Sequence, residues 1–391
     1  VTSRDWLDLE VLVTVGTGGV GKTTVSAAMG LEAARHGRRV LVLTIDPARR
    51  LADALGVGEL GHDPRPVPEE ALRRAGIEGR GSLHAMMLDT KRTFDEMVAR
   101  FTVDDESRER ILRNPIYRNL TDALAGSREY SAMEKLHQLH DEGAYDLIVL
   151  DTPPATHALD FLDAPRRLTG FLGSQFLQAL LHPAAAVGRT GLRWFRQGSE
   201  LVLHAIERIT GLEFLSSISE FLLAFEAMLD GFRTRAHEVE RLLRSPRCGF
   251  VLVAGPDVEQ ARRARAFSQR LRIEGIRLVG LVVNRVHAWP GGGPAPEPTQ
   301  SARTAALAWV ETHLASQGPA LARPQLAALL VETTSRLAGL ARRDRAVREQ
   351  LEAALALAVT QVREIPLFEE DVHALEALVR MAEHLFGASR D

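Results

Sequence analysis

The residues best equipped for chemistry in this chain of 391 are a lysine and a hydroxyl behind a run of glycines, with two carboxylates further on. The stretch VGTGGVGKTT, residues 15–24, satisfies two nucleotide-binding spacings at once. Gly16, Gly18 and Gly21 fit G-x-G-x-x-G, the dinucleotide fingerprint, whereas Gly16, Gly21, Lys22 and Thr23 fit G-x-x-x-x-G-K-[ST], the phosphate-binding P-loop. Asp46 ends the next apolar run, where a dinucleotide fold places its ribose ligand. A dinucleotide fold, however, has no need of Lys-Thr after the third glycine. A P-loop needs both: backbone N–H groups cradle phosphates, the lysine reaches the β and γ oxygens, and the hydroxyl holds Mg²⁺. Asp151, at the end of YDLIVLD (145–151), is placed as a second magnesium partner. Taken singly, Asp46 and Asp151 read equally well as strand-end helix caps. Together with the loop they favour ATP over NAD, and an NAD-dependent oxidoreductase is the alternative to exclude.

These residues require a scaffold that brings several strand ends to one edge. Short apolar runs alternate with longer amphipathic segments: VLVTVG (11–16), RVLVLTID (39–46), SLHAMMLD (82–89), YDLIVLD, CGFVLVAG (248–255), IRLVGLVVN (276–284) and VREIPLF (362–368) read as strands. Helices are expected at 22–36, 48–55, from about 92 to 142, across 155–245, through 301–360 and at 369–386. GHDPRPVPEE (61–70) and WPGGGPAPEP (289–298) read as loops. Strands alternating with helices imply an α/β, doubly wound, mostly parallel sheet with ligands at the carboxyl ends of the strands. The expected organisation is a single domain over 1–391 with a helical subdomain from about 92–142 and 155–245.

Composition excludes several classes. At net charge −3 there is no basic field to attract nucleic acid. One cysteine, Cys248, forbids an intrachain disulfide, a paired-cysteine zinc or redox site and a cysteine-built cluster. The first residues carry acids and no apolar stretch, so no signal peptide is expected. No apolar run reaches the roughly 18 residues of a membrane span. The expected location is the cytoplasm, or peripherally at a membrane.

GTGGVGKTT, then TIDPARRLADALG (44–56), then LDTPPATHALDFL (150–162), resembles the deviant-Walker ATPases of the ArsA type, which include the arsenite-pump ATPase and the ATPase that targets tail-anchored membrane proteins. The second and third segments resemble that family's switch I and switch II, and VVNRV (282–286) and IPLFEEDVHALEAL (365–378) resemble its two adenine-side segments. The resemblance implies a P-loop NTPase fold, ATP and Mg²⁺, and a dimer, homomeric or with a related ATPase. It implies that Gly18, Gly19, Val20, Gly21, Lys22, Thr23 and Thr24 wrap the phosphates, that Lys22 bridges β and γ, and that Thr23 ligates Mg²⁺. It implies that Asp46 orients the attacking water, that Asp151 holds the metal's water shell, and that Asn284, Pro366 and Leu367 receive adenine. The helical stretch 155–245 corresponds to the region that carries cargo in that family.

The departures from the family pattern are as informative. Thr17 stands where the family's loop usually has a lysine that reaches the partner subunit's phosphates. Slow hydrolysis, a lysine from a partner chain, or another cation such as Arg49 or Arg50 are the open alternatives, and a nucleotide-binding regulator with little hydrolysis is one of them. The metalloid-binding cysteines of the pump are absent, which disfavours a metalloid-pump role, and so is a paired-cysteine zinc clasp. Cys248 reads as a small core residue. His137, His140 and Glu134 share a helical face without a further ligand cluster, and Arg262, Arg263 and Arg265 read as a solvated helix face. In GLEFLSSISEFLLAFEAMLDGF (211–232), Phe214, Ile218, Phe221, Phe225, Met228 and Phe232 form one apolar stripe, and Leu215, Leu222 and Leu229 a second beside it. Such breadth reads either as core packing or as a surface for a hydrophobic client or a membrane protein.

Overall fold

The computed structural model describes residues 6–46, 50–77, 81–102, 104–114, 117, 127–153, 229–290, 299–313, 323–355, 361–369 and 374–387. Eight strands form one sheet: β1 Val11–Val15, β2 Arg39–Thr44, β3 Arg65–Pro66, β4 Ser82–Met87, β5 Leu147–Asp151, β6 Cys248–Ala254, β7 Leu278–Val286 and β8 Val362–Pro366. Their order is β3-β4-β2-β5-β1-β6-β7-β8, and every pairing is parallel except β3 with β4. The expected doubly wound α/β sheet is therefore present.

Strict alternation along the strands sends neighbouring residues to opposite faces. On one face Leu12, Val40, Val42, Val149 and Val251 meet helices α1 (Lys22–Arg35), α2 (Arg50–Leu55), α3 (Glu69–Arg74) and, last in the chain, α11 (Leu375–Phe386). On the other, Val11, Val13, Leu41, Leu150 and Phe250 meet α6 (Ser127–Asp141), α7 (Leu229–Arg244), α8 (Val258–Ile273) and α10 (Arg323–Leu355). With both faces covered, β1 and β5 are apolar and buried almost throughout, as a central parallel strand must be. Among the described residues the remaining helices are α4 (Thr90–Phe101), α5 (Asp105–Arg113) and α9 (Gln300–His313).

One boundary differs from expectation. Residues 61–70 are not all loop: Arg65–Pro66 add a two-residue antiparallel edge strand and α3 starts at Glu69. A proline is tolerated there because an edge strand leaves one side of its backbone unpaired. Within the helical stretch expected over 301–360, α10 starts at Arg323 with Pro324 in its first turn, where the missing N–H costs nothing. Cys248 opens β6 and is fully buried, and burial pushes its thiol up to about 12. Trp6 is locked against β7, its indole N–H donating to the Val279 carbonyl at 3.2 Å. Gly280 makes that possible, since a Cβ there would stand 1.9 Å from the indole ring. Most of the expected client-facing stretch, 154–228, lies outside the described residues, as does Arg49. Among the described residues no helix is long and apolar enough to cross a membrane.

Candidate functional site

The glycines of residues 16–21 are explained by geometry. A Cβ on Gly16 would lie 2.1 Å from the Val253 carbonyl oxygen, so only glycine lets the loop leave β1 this close to β6. Gly19 and Gly21 have φ of 77° and 88°, in the left-handed region, and a Cβ on Gly21 would meet the Asn284 amide nitrogen at 2.4 Å. Gly21 is also the N-cap of α1. No side chain caps that helix and no acid sits in its first turn, so its leading N–H groups are free for an anion.

Lys22, 7% exposed, folds back over its own loop, with Nζ donating to the carbonyls of Gly16 at 3.1 Å and Thr17 at 3.0 Å. Burial lowers its pKa, and Asp151 and Asp46 oppose that shift. The ammonium is thus held by two neutral carbonyls in a place that penalises its charge, and an anion would be a better partner.

Asp151 ends β5, opposite Thr14 of β1 and Thr44 of β2. Its Oδ2 accepts from Thr23 Oγ1 at 2.7 Å and from Thr44 Oγ1 at 2.9 Å. Its Oδ1 is buried without a hydrogen-bond partner. Burial raises the carboxyl to about 6 and Asp46 adds to this, while the two hydroxyls and Lys22 hold it down. Asp46 itself lies two residues beyond β2, half-buried, its backbone N–H donating to Thr44 Oγ1 at 3.2 Å and its carboxylate 3.8 Å from Arg50. Thr44 is the member of this constellation that motif reading misses. A hydroxyl two positions before a strand-end acid is its only trace in the sequence.

On the far side of the loop, Asn284 donates to the Val20 carbonyl at 2.7 Å and accepts from the N–H of Arg285 at 3.0 Å. Pro366 ends β8 opposite Val286, and Leu367, half exposed, donates its N–H to the Val286 carbonyl at 2.9 Å. Gly18 and Gly19 are exposed at the loop's tip, and Thr24 follows in the first turn of α1. Thr17 and Gly18 line a cavity of about 360 Å³ that Gln260, Arg263 and Phe267 of α8 close. The structure therefore gathers the loop, Asp46 and Asp151 at one edge, with Asn284 against the loop and Pro366 and Leu367 against Val286 of the same strand.

The other titratable clusters are structural. His137 pairs with Asp141 at 3.2 Å, His140 with Glu10 at 2.7 Å, and Glu134 with Arg235 at 3.0 Å. Arg262 and Arg263 lie within 3.5 Å of Glu259. Among the described residues no three His, Cys, Asp or Glu side chains group as a metal site.

Comparison with known proteins agrees with this geometry. A putative arsenical pump-driving ATPase of Halobacterium salinarum is 31% identical over 159 residues, 40% of this chain and 24% of its own length. ATPase GET3 of Malassezia globosa is 31% identical over 150 residues, 38% of this chain and 40% of its own. An uncharacterized Streptomyces coelicolor protein, SCO2128, matches at 29% over 282 residues, 71% of this chain and 63% of its own. The chain thus spans less than half the length of the two named ATPases. The model of the ArsA, or anion-transporting, ATPase family matches residues 9–288, from the start of β1 past the end of β7. That span includes the glycine loop, Asp46, Asp151 and Asn284, the same groups that converge in space, and removes the dinucleotide reading: this chain belongs to the anion-transporting ATPase family.

Proposed function

We propose that the chain is a magnesium-dependent ATPase acting as a dimeric switch, which couples nucleotide state to the binding of a hydrophobic client or membrane partner. The observation that carries the reading is Asp151: fully buried, one oxygen shared by Thr23 and Thr44 and the other without a partner. A buried carboxylate half satisfied in this way is suited to a hard cation. One carboxylate and one hydroxyl are the protein share Mg²⁺ ordinarily takes when phosphates and water fill its remaining positions. Thr23 and Asp151 would hold the ion, which when bound neutralises charge on the β and γ phosphate oxygens.

The chain's own groups divide the rest. The free N–H groups from Gly18 to Thr24 receive phosphate oxygens at the positive end of α1. Lys22 exchanges its two carbonyls for the β and γ oxygens, whose charge offsets the burial that lowers its pKa. Asp46 orients and polarises the attacking water. Pro366 and Leu367 offer an apolar edge to the base, with Asn284 beside them. The stripe of Phe214, Ile218, Phe221, Phe225, Met228 and Phe232 supplies the client surface, in the helical stretch that the segment from Asp151 to Leu162 runs into.

Thr17 supports a second reading, a regulatory subunit that binds ATP and turns it over slowly, because threonine supplies no charge across a dimer. Steady-state hydrolysis decides. Turnover should require Mg²⁺, and Asp46→Asn should lower it by about 10²–10⁴-fold while ATP binding stays near wild type. Hydrolysis by Asp46→Asn at the wild-type rate would refute the role of Asp46. Wild-type ATP binding without turnover, at any enzyme concentration, would select the regulatory reading.

A further inference from the structure

The end of β7 reaches the phosphate loop from behind with two consecutive side chains. Asn284 Nδ2 donates to the Val20 carbonyl at 2.7 Å, and Arg285 Nη1 donates to the Gly19 carbonyl at 3.0 Å. Arg285 pays for this reach in its backbone. Its φ of 64° makes it the one non-glycine residue with positive φ among the described residues. The pairing register of β7 with β8 shifts at the same point, between Asn284 and Val286, leaving Arg285 as an extra residue. A bulge of this kind ordinarily takes glycine, and an outlier held at a site points to a use for its side chain.

Every peptide here is trans, so each N–H points opposite the carbonyl of the same plane. Fixing the Gly19 carbonyl toward Arg285 turns the Val20 N–H away from β7, and fixing the Val20 carbonyl toward Asn284 does the same for the Gly21 N–H. A donor on a carbonyl also polarises its peptide and strengthens the opposite N–H, more so when the donor is a guanidinium. We propose that Arg285, with Asn284, is a positioning residue for the phosphates of the nucleotide: the pair orients and polarises two successive loop N–H groups from the outer side of the peptide planes. This rests on the reading of the loop as an ATP site, and deepens it by giving Asn284 a role at the loop in addition to its place beside the base. Gly21 fits the same device, since the space a Cβ would occupy there is filled by the Asn284 amide.

Calorimetric titration with ATP and with inorganic tripolyphosphate, which lacks base and ribose, tests it on the full chain. Arg285→Ala and Arg285→Gly should weaken both ligands by the same factor, about three- to tenfold for one charge-assisted hydrogen bond at an exposed position. Arg285→Lys, which retains a cationic donor, should recover most of the loss. Arg285→Gly should unfold at a temperature no lower than wild type, because glycine adopts this φ without strain. Asn284→Ala should likewise weaken tripolyphosphate together with ATP. Loss of ATP affinity with tripolyphosphate binding unchanged would overturn the proposal, since the side chains would then act on the base. Loss of affinity and melting temperature together in Arg285→Gly would overturn it in favour of a structural bulge. If wild-type protein binds neither ligand, the ATP reading falls as well.

Discussion

Replacing Asp151 by asparagine should be nearly neutral for stability in acid and stabilising at neutral pH. In the nucleotide-free protein the carboxyl rises from an ordinary 3.8 to about 6 because it is fully buried. The folded state therefore holds this proton more tightly than the unfolded state. Stability contributed by Asp151 is greatest below pH 4 and falls as pH rises through the window from about 4 to 6. At about 1.4 kcal/mol per pH unit, the loss by pH 7 is about 3 kcal/mol. Asparagine cannot ionise. Its carbonyl oxygen can accept from Thr23 and Thr44 as Oδ2 does, but its NH₂ then takes the place of Oδ1, which has no partner. An unsatisfied buried donor costs about 1–3 kcal/mol at every pH. At pH 4 the protonated wild-type carboxyl leaves its own O–H unpaired at the same place, so the two proteins should be about equally stable, and by pH 7 the variant should exceed wild type by up to about 3 kcal/mol. Urea unfolding of both proteins at intervals from pH 4 to 8 measures the difference directly. Profiles that run parallel within about 0.5 kcal/mol would refute the argument.

Gly21→Ala should cost at least about 1–2 kcal/mol from its left-handed backbone alone, and should abolish nucleotide binding because the methyl displaces the Asn284 amide; binding within twofold of wild type would refute this. Gly280→Ala places a methyl 1.9 Å from the Trp6 ring and should lower stability by about 3 kcal/mol, with indole fluorescence shifting to the red as Trp6 is displaced. Arsenite and antimonite should neither bind tightly nor stimulate hydrolysis, since the one thiol is buried and pushed up to about 12. Saturable stimulation that survives Cys248→Ser would contradict that.

The sheet was legible because burial on both faces leaves a simple trace: β1, β5 and β6 are runs of apolar residues, and their alternate members pack on different helices. Lys22, Thr23 and Asp151 stood out in the sequence because the proposed phosphate site demands residue types at fixed spacing within one loop and one strand end. What escaped depends on contacts distant in sequence or on conformations that residue type does not announce. The Asn284 contact with Val20 spans 264 residues. Arg285 adopts a backbone angle expected of glycine or asparagine. Pro64, Pro66 and Pro68 made 61–70 look like loop, although EEALRR, acids first and bases last, carries the charge order of a short helix.

The strand order also sets a timetable for synthesis. β1, which launches the phosphate loop, is made first, but its neighbours are β5 and β6. Its first partner residue, Ile148, leaves the ribosome more than 130 residues after Val11, roughly 7–27 s later at 5–20 residues per second. Its second edge waits for Cys248, another hundred residues on. During that interval the most apolar strand of the loop's scaffold has no sheet to join, and an open apolar edge is where chains stick to one another. A nascent chain arrested before residue 248 would therefore carry the complete glycine loop and both aspartates with β1 still lacking the strand that Gly16 packs against. The glycine loop's scaffold closes late, and until then the nascent chain carries an apolar strand with one or both of its neighbours missing.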